Sequence, residues 1–502
     1  GANAKEGIYV NSGTDEDHTL LNLTGQGGGG ELQWVKSNTS FNFTKGVTET
    51  NGVLKSNLLS NSGFDVWSNS TLVDASTGAA SVQTGADSAL TTGGSLVVNG
   101  GFDSATTGWV DAFNASLANV SGGQTGNCLE ITRSGGSYQT ARASANIATV
   151  VGKLYELSVW VKSGTSGDEA FIAGYYDGSS QFTLIEGTSS GSWVQYTAVF
   201  EATVTTTKPV LQKMTSTAGT MLFDTVTLNE VSPGCVANDT LACDGWYKDA
   251  HANSEMWRMH SDGDTEAVTK VGSFYALKMT FAGAGYETKW SRTLDALEFV
   301  SRFAGRTVTA GCWMKSSAAT LLKIDDSAKA ATTVAHDGDN EWQWLELTST
   351  FAGNISWVTP FVIRAVGTET VYISQPILVY GSAIGAGNYS KPSGEIVYCE
   401  AKITSKIPAT ISSATDLNVE SDTNGKLPKG AKAVDIIYAG SNAVIEKYLL
   451  VENTALIQHS QVANVIISQA GWVPLESDTN LSFTPEGTWN EVFAQYHGVQ
   501  LQ

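Results

Sequence analysis

Aromatic side chains flanked by amides and carboxylates occur at two places in the sequence. Tyr138-Gln139, Tyr175-Tyr176-Asp177 and Gln181-Phe182 form the first group, and Tyr286-Glu287 with Trp290 form the second. An aromatic face stacks on the apolar face of a sugar ring, and a neighbouring amide or carboxylate binds its hydroxyls, so these residues are candidates for glycan contact. The competing expectation is structural, because aromatics in a β-protein mostly fill its core; Trp160 and Trp313 are read that way, as scaffold. Strings that imitate catalytic motifs fail on context. Gly187-Thr188-Ser189-Ser190-Gly191 spells a nucleophile elbow, yet it lies in a Gly/Ser turn ahead of a strand. The stretch from Gly25 to Gly30 spells a dinucleotide loop but opens no helix. His18, His251, His260, His336, His459 and His497 show no metal-ligand spacing, and nothing selects a carboxylate pair for hydrolysis. The sequence therefore reads as non-enzymatic.

The elements that position these residues follow from composition and pattern. At about 150 residues per domain, 502 residues imply roughly three or four domains. Lys and Arg number 29 against 49 Asp and Glu, a net charge of -20, which repels phosphate backbones and argues against nucleic acid as a partner. Charged residues are 16%, where about 25% is usual, so the polar surface is mostly Ser, Thr, Asn and Gly. No stretch approaches the ~20 apolar residues of a membrane span, so no membrane insertion is expected. The start at Gly1 lacks a basic-then-apolar signal and is expected to be a processed or partial terminus. Five cysteines do not make a disulfide scaffold; Cys235 and Cys243 are close enough to bridge, with two free thiols the favoured reading.

Short alternating runs such as Leu157, Val159, Val161 and Val434, Ile436, Tyr438 read as half-buried strands, and many such strands between Gly, Ser, Asn and Asp clusters make an all-β chain. The chain also repeats itself. Leu129 to Thr132 with Tyr138-Gln139-Thr140 recurs as Leu277 to Thr280 with Tyr286-Glu287-Thr288; Gly152 to Ser163 recurs as Gly305 to Ser316; Trp193 to Phe200 recurs as Trp344 to Phe351. Aligned apolar faces make this a duplication, and they place Cys312 where Val159 sits and Cys128 where Ala276 sits, both as buried thiols.

The openings of the copies differ in position. The first has Asn99-Gly100-Gly101-Phe102-Asp103 followed by Trp109. The second has Asn61-Ser62-Gly63-Phe64-Asp65-Val66-Trp67 far upstream, and resumes at Asp244-Gly245-Trp246-Tyr247. The first copy is therefore read as inserted into an early loop of the second, with two units in series as the alternative. The expected organisation is a β-rich segment at 1–55, an outer module at 56–75 and 235–398, an inserted module with linkers at 76–234 (core 95–232), and a separate C-terminal unit at 399–502.

The opening Asn99 to Asp103 with Trp109, the middle Gly152 to Lys162 and the closing Phe223-Asp224-Thr225-Val226 resemble carbohydrate-binding modules of the family 4/9 type. The outer copy, through Phe64 to Trp67, Asp244 to Tyr247 and Ile373 to Tyr389, is similar to versions found in bacteriophage tail and other virion proteins. Residues 1–50, with Glu31 to Trp34 and Phe41 to Phe43 as strand-like pieces, look like a tail-fibre connecting segment, and 399–502 resembles a terminal β-sandwich of virion fibres. These resemblances imply tandem or nested β-sandwich jelly rolls with small β-rich N- and C-terminal domains. They imply a virion protein, a tail fibre or similar appendage, that binds host-surface glycans. It would contact other virion proteins, form a homotrimer, and stand on the virion surface after assembly in the host cytoplasm. They also imply a structural calcium held by the Gly101 carbonyl, Asp103 and Asp224, an ion that wants about 6 to 8 oxygens; the outer copy keeps Asp65 but has Ser374 in the closing position. The alternatives are a decoration protein with a purely structural role, and the accessory glycan-binding part of a secreted polysaccharide hydrolase.

Overall fold

The alternating runs form antiparallel strands, and the chain is nearly all-β. The computed structural model describes residues 18–23, 30–35, 40–43, 56–68, 70, 95–136, 138–215, 218–232, 234–235, 243–248, 254–261, 266–290, 297–381, 383–392, 394–405, 407–452, 456–459, 462–475 and 480–501. It divides into two compact units, Gly1–Ser56 and Asn57–Gln502. In the first, His18–Leu23, Gly30–Val35 and Ser40–Phe43 make a three-stranded sheet in that order. The pieces Glu31 to Trp34 and Phe41 to Phe43 are thus strands. Most of the Gly25 to Gly30 string lies outside the described residues, as does the linker after Asp74.

In the second unit, residues 95–232 make a complete sandwich. One sheet orders Gln181–Thr188, Ala170–Tyr176, Thr206–Lys213, Gln139–Ala143 and Trp109–Phe113; the other orders Val194–Glu201, Leu154–Ser163, Thr220–Val231, Asn127–Arg133 and Ala115–Ser121. Leu157, Val159 and Val161 face inward, against Phe171, Ala173 and Leu211 of the facing sheet. Each such side chain contributes about 1.5 to 3 kcal/mol on burial, which makes this core self-sufficient.

A different core holds Leu59, Phe64 and Trp67 together with side chains from Cys243 to Leu378. Its sheets order Gly234–Cys235, Glu255–His260, Tyr275–Ala282, Thr368–Tyr380, Thr307–Ser316, Trp342–Thr350, and Trp246–Lys248, Glu287–Trp290, Val358–Arg364, Leu321–Asp326, Thr332–Ala335. The chain therefore enters this outer sandwich at 57–68, builds the inserted one, and returns with the short strand Gly234–Cys235. One seven-residue helix, Leu297–Phe303, interrupts the β pattern.

The same turn opens both sandwiches. Phe102 N donates to the Asn99 carbonyl and Trp109 Nε1 donates to it at 3.3 Å; Phe64 N and Trp246 Nε1, at 3.2 Å, do the same to Asn61. Phe102 packs on Trp109 at 5.4 Å between centroids, and Phe64 on Trp246 at 5.1 Å. Asn61, Phe64, Asn99 and Phe102 all take positive φ, between 52° and 56°. This backbone costs about 1 to 2 kcal/mol per non-glycine residue, and each asparagine amide offsets it by hydrogen-bonding the turn.

A buried carboxylate ties the two passages of the chain through the outer sandwich. Asp244 accepts from Ser68 N at 2.6 Å and from Ser68 Oγ, while its own N–H donates to the Val66 carbonyl and its carbonyl accepts from Asn61 Nδ2. The Glu400 N–H adds a third donor to the carboxylate from the C-terminal sandwich. That sandwich pairs Ile396–Thr404, Trp489–Gln500, Ala433–Asn442 and Ile467–Pro474 against Thr415–Asn418, Asn480–Pro485, Tyr448–Val451 and Leu456–His459. Its first strand begins at Ile396, ahead of the expected boundary at 399, and Val66 packs in its core with Val397. The boundary shifts because alternation continues unbroken across 396–404, leaving no punctuation at 399. Cys128 and Cys312 are fully buried free thiols, and Cys243 is also buried; the Cys235 side chain lies outside the described residues. No helix among the described residues is long and apolar enough to cross a membrane.

Candidate functional site

Alternation along Ala170–Tyr176 decides which aromatic is available. Phe171, Ala173 and Tyr175 point into the inserted core, so Ile172, Gly174 and Tyr176 point outward. Register extends this face across the sheet. Thr183, Gly174, Val210 and Arg142 form one row, and Glu186, Ile172, Gln212 and Thr140 the next. The Arg142 guanidinium lies 4.3 Å over the Tyr176 ring, and Tyr176 Oη donates to the Gly178 carbonyl at 2.7 Å, which fixes the ring. Gln181 Nε2 donates to Gln212 Oε1 at 2.7 Å. At the middle of the first row stands Gly174, at a bulge where a Cβ would come within 1.9 Å of the Phe182 carbonyl oxygen. Gly174 carries no side chain and is buried, because the Gln181–Gln212 pair reaches across it from the row of Tyr176 to the row of Ile172; the face so formed, Tyr176 with Arg142 beside the amide pair, is the groove of the module. Phe113, 56% exposed, stands beside Thr140 on the edge strand.

Of the candidates in this module, Tyr176 and Gln181 belong to the groove. Tyr175 does not: it is buried, stacked on Phe200 at 4.5 Å, and burial raises its hydroxyl above the usual range. Gln139 is also misassigned, since it shares the inward face with Ala141 and is fully buried. Tyr138 is exposed just before that strand. Phe182 is exposed but pairs with Tyr175, off the groove face. Asp177 caps the turn, taking the N–H groups of Ser179 and Ser180, which hold its carboxyl below the usual range. Arg142, Gln212 and Gly174 escaped the sequence reading; alternation from Thr140 was the available signal for Arg142. Trp160 and Trp313 are half-buried and belong to no core cluster, because each falls at an outward position between inward neighbours. Gly187 and Thr188 end a strand and no helix follows, so the elbow string is a turn.

The corresponding face of the outer sandwich is built differently. Its rows run Lys289, Val362, Lys323, Thr333 and Glu287, Arg364, Leu321, Ala335. Lys323 Nζ lies 2.8 Å from Glu287 Oε1 and 2.9 Å from Asp325 Oδ2, and Arg364 Nη1 lies 3.0 Å from the same Glu287 oxygen. Burial works against the Lys323 charge, but Glu287 and Asp325 outweigh it and raise the ammonium's pKa. Glu287 is thus a member of an ion network. Tyr286 and Trp290 pack against the outer core, with Trp290 Nε1 donating to Ser60 Oγ, so they are scaffold rather than free platforms.

Asp103 and Asp224 border one glycine-rich loop, 121–127. A Cβ on Gly126 would come within 2.8 Å of Asp103 Oδ1, and one on Gly123 within 2.7 Å of Asp224 Oδ2. Asp224 is fully buried and accepts from the N–H groups of Thr125 and Thr225; burial nevertheless raises its carboxyl above the usual range. Those N–H donors do for Asp224 what a cation would, so its observed role is to anchor the loop. The exposed Asp103 carboxylate and the Gly101 carbonyl remain as oxygen donors suited to calcium. No group of three or more His, Cys, Asp or Glu suited to a metal occurs among the described residues. In the outer module the Lys391 ammonium sits 2.7 Å from Asp65, supplying positive charge at that carboxylate directly.

Residues 94–217 match the CBM_4_9 family, described as a carbohydrate binding domain. No curated protein matches the chain. Among solved structures, the tandem of two family 22 carbohydrate-binding modules of Paenibacillus barcinonensis Xyn10C is 14% identical, with 57% of this chain and 97% of that one covered and a TM-score of 0.28. A Clostridium thermocellum xylanase fragment, a module of the same family with its catalytic domain, is 22% identical over 27% of this chain and 28% of that one, with a TM-score of 0.24. The enzymatically active domain of bacteriophage CBA120 tailspike protein 4 is 11% identical over 27% of this chain and 21% of that one, with a TM-score of 0.23.

Proposed function

We propose that the inserted module binds a glycan chain along the outer face of its Ala170–Tyr176 sheet, and that the protein is a non-enzymatic bacteriophage surface component which uses this module to attach to host-cell glycans. The groove supports the first part: an aromatic ring held by Arg142 and paired amides from Gln181 and Gln212, meeting across Gly174, lie on one face of the segment that matches a carbohydrate binding domain. A sugar ring lying on that face meets Tyr176 and Arg142 on one side and amide donors and acceptors on the other, and a chain can run on past both ends.

The virion assignment rests on the sequence resemblance of the outer and terminal segments, and on a surface poor in charge. Other virion proteins as partners, a homotrimer and an extracellular position on the particle belong to the same proposal. Calcium belongs to it in reduced form, with Asp103 and the Gly101 carbonyl as ligands and Asp224 fixing the loop beside them; a chelator should lower the melting temperature of the wild type and leave Asp103→Asn unchanged. The binding test is retention on glycan arrays and polysaccharide-affinity gels. Arg142→Ala and Tyr176→Ala should each weaken retention about tenfold. Unchanged retention in both would remove the groove from the account, and a light-scattering mass of a single 52.9 kDa chain would remove the trimer.

A further inference from the structure

A second concave site lies away from the groove, where the inserted module meets the C-terminal sandwich. One wall is aromatic. Phe200, Tyr175 and Phe182 form a near-parallel stack, with centroids 4.5 and 5.0 Å apart and planes 18° and 16° apart. The stack begins in the inserted core and ends on Phe182, which is 40% exposed. The facing wall comes from the strand Thr415–Asn418 and the helix Val419–Asp422, and presents Asp416, Asn418 and Ser421. Between them is a cleft of about 390 Å³, within the range of small-ligand sites. An ion pair from Lys429 to Glu201 at its margin joins the two domains, so both walls are held in place.

The lining chemistry narrows the ligand. An exposed ring face offers stacking to an apolar surface, and the exposed carboxylate of Asp416 offers directional acceptors to hydroxyls, while the Asn418 amide oxygen caps the helix by accepting from the Ser421 N–H. No lining residue is cationic, and Glu201, Asp416 and Asp422 repel anions, so phosphorylated and acidic ligands are disfavoured. A ligand with one apolar face and a rim of hydroxyls fits, which is the description of a neutral pyranose.

We propose that this interdomain cleft is a second saccharide site, holding one or two neutral sugar rings against Phe182 with Asp416 bound to hydroxyls. It accounts for Phe182, which the groove leaves unused, and it gives the C-terminal sandwich a share in recognition. It extends the glycan-binding reading of the inserted module, but its residues are separate from that groove, so the two can fail independently.

The experiment is saturation-transfer NMR and calorimetry on the full chain with a panel of neutral monosaccharides and disaccharides (glucose, galactose, N-acetylglucosamine, cellobiose, xylobiose, lactose). Phe182→Ala should weaken binding about tenfold. Asp416→Asn, an exposed change that leaves the fold intact, should weaken it several-fold; Arg142→Ala should leave this component unchanged. If Phe182→Ala and Asp416→Asn bind as wild type while Arg142→Ala loses binding, the cleft is not a site and the groove stands. If the first two lose binding and Arg142→Ala does not, the cleft stands, and the groove is judged separately on polysaccharide retention. No binding by any sugar of the panel would overturn the cleft as a neutral-saccharide site, while the groove would still be judged on polysaccharide retention.

Discussion

Two rows of side chains on two copies of one scaffold separate an open face from a filled one. In the inserted module the row Arg142, Val210, Gly174, Thr183 has no side chain of its own at its third position, where a neutral amide pair crosses; in the outer module the row Lys289, Val362, Lys323, Thr333 has an ammonium there, bound to Glu287 and Asp325. Val210 and Val362 are equally buried at the second position, one under the Tyr176 and Arg142 side of the groove, the other under the ion network. The fold therefore supplies a curved sheet, and a single glycine or lysine decides whether the sheet is a groove or a closed surface. The same substitution of charge for space recurs at the opening turns, where Lys391 sits on Asp65 but a glycine loop borders Asp103.

The strongest way to break this comparison is to fill the glycine. Gly174→Ala forces a methyl into the Phe182 carbonyl, and should cost about 2 to 3 kcal/mol in a urea titration and abolish glycan retention. A midpoint equal to wild type would show that the bulge is not held by that close approach. Emptying the outer face is the reverse experiment. Lys323→Met leaves Asp325 without its ammonium and should cost about 2 kcal/mol by the same titration, with no gain of glycan binding, because Glu287 and Arg364 still close the second row. Acquired retention would mean that lysine alone shuts the outer face.

Arg142→Ala tests the same position on the open copy. It should change stability by less than about 1 kcal/mol, because its observed interaction is stacking on Tyr176 rather than an ion pair. The smallest expected effect is in pH. Glu201 of the inserted module faces Glu420 of the C-terminal sandwich, and burial first, and then Glu201, push the Glu420 carboxyl up to about 8. A raised folded pKa favours the protonated form, so this contribution is complete below the ordinary value of 4.5 and is lost as pH rises through about 8. Arg258, Lys429 and the Tyr275 hydroxyl also face Glu420 and moderate the change. A melting temperature lower at pH 8.5 than at pH 5.5 is expected, with a shallower slope in Glu420→Gln; identical slopes would assign the pH dependence elsewhere.

The β class was legible because alternation of period two is written into runs such as Leu154–Ser163 and Ala433–Asn442. The opening turn was legible too, since Asn, Phe and Trp recur in it, although its Trp stands seven residues after Phe102 in one copy and far beyond Phe64 in the other. The site was only half legible. Tyr175 and Tyr176 are neighbours, and parity alone sends one inward and the other outward, but a sequence does not declare the phase unless a core residue is fixed first. Gln139 and Glu287 share a position in the aligned repeat yet face opposite sides, so similarity of spelling did not carry over to the surface. Asp224 looked like a ligand by residue type; only the N–H groups converging on it reveal its role, and backbone donors leave no mark in a sequence.

The Asp244 clamp has a mechanical meaning. It fastens residues 61–68, where the chain leaves the outer sandwich, to residue 244, shortly after the strand Gly234–Cys235 by which it re-enters. Tension applied along the chain passes across this clamp and through the outer sandwich, and bypasses the inserted module, residues 95–232. The inserted module stays slack under load until the clamp parts, and its binding face keeps its shape while the rest of the molecule is pulled. In a single-molecule stretch from residue 57 to residue 501, the outer sandwich should yield first, and the extension of the inserted module should follow as a separate, later step.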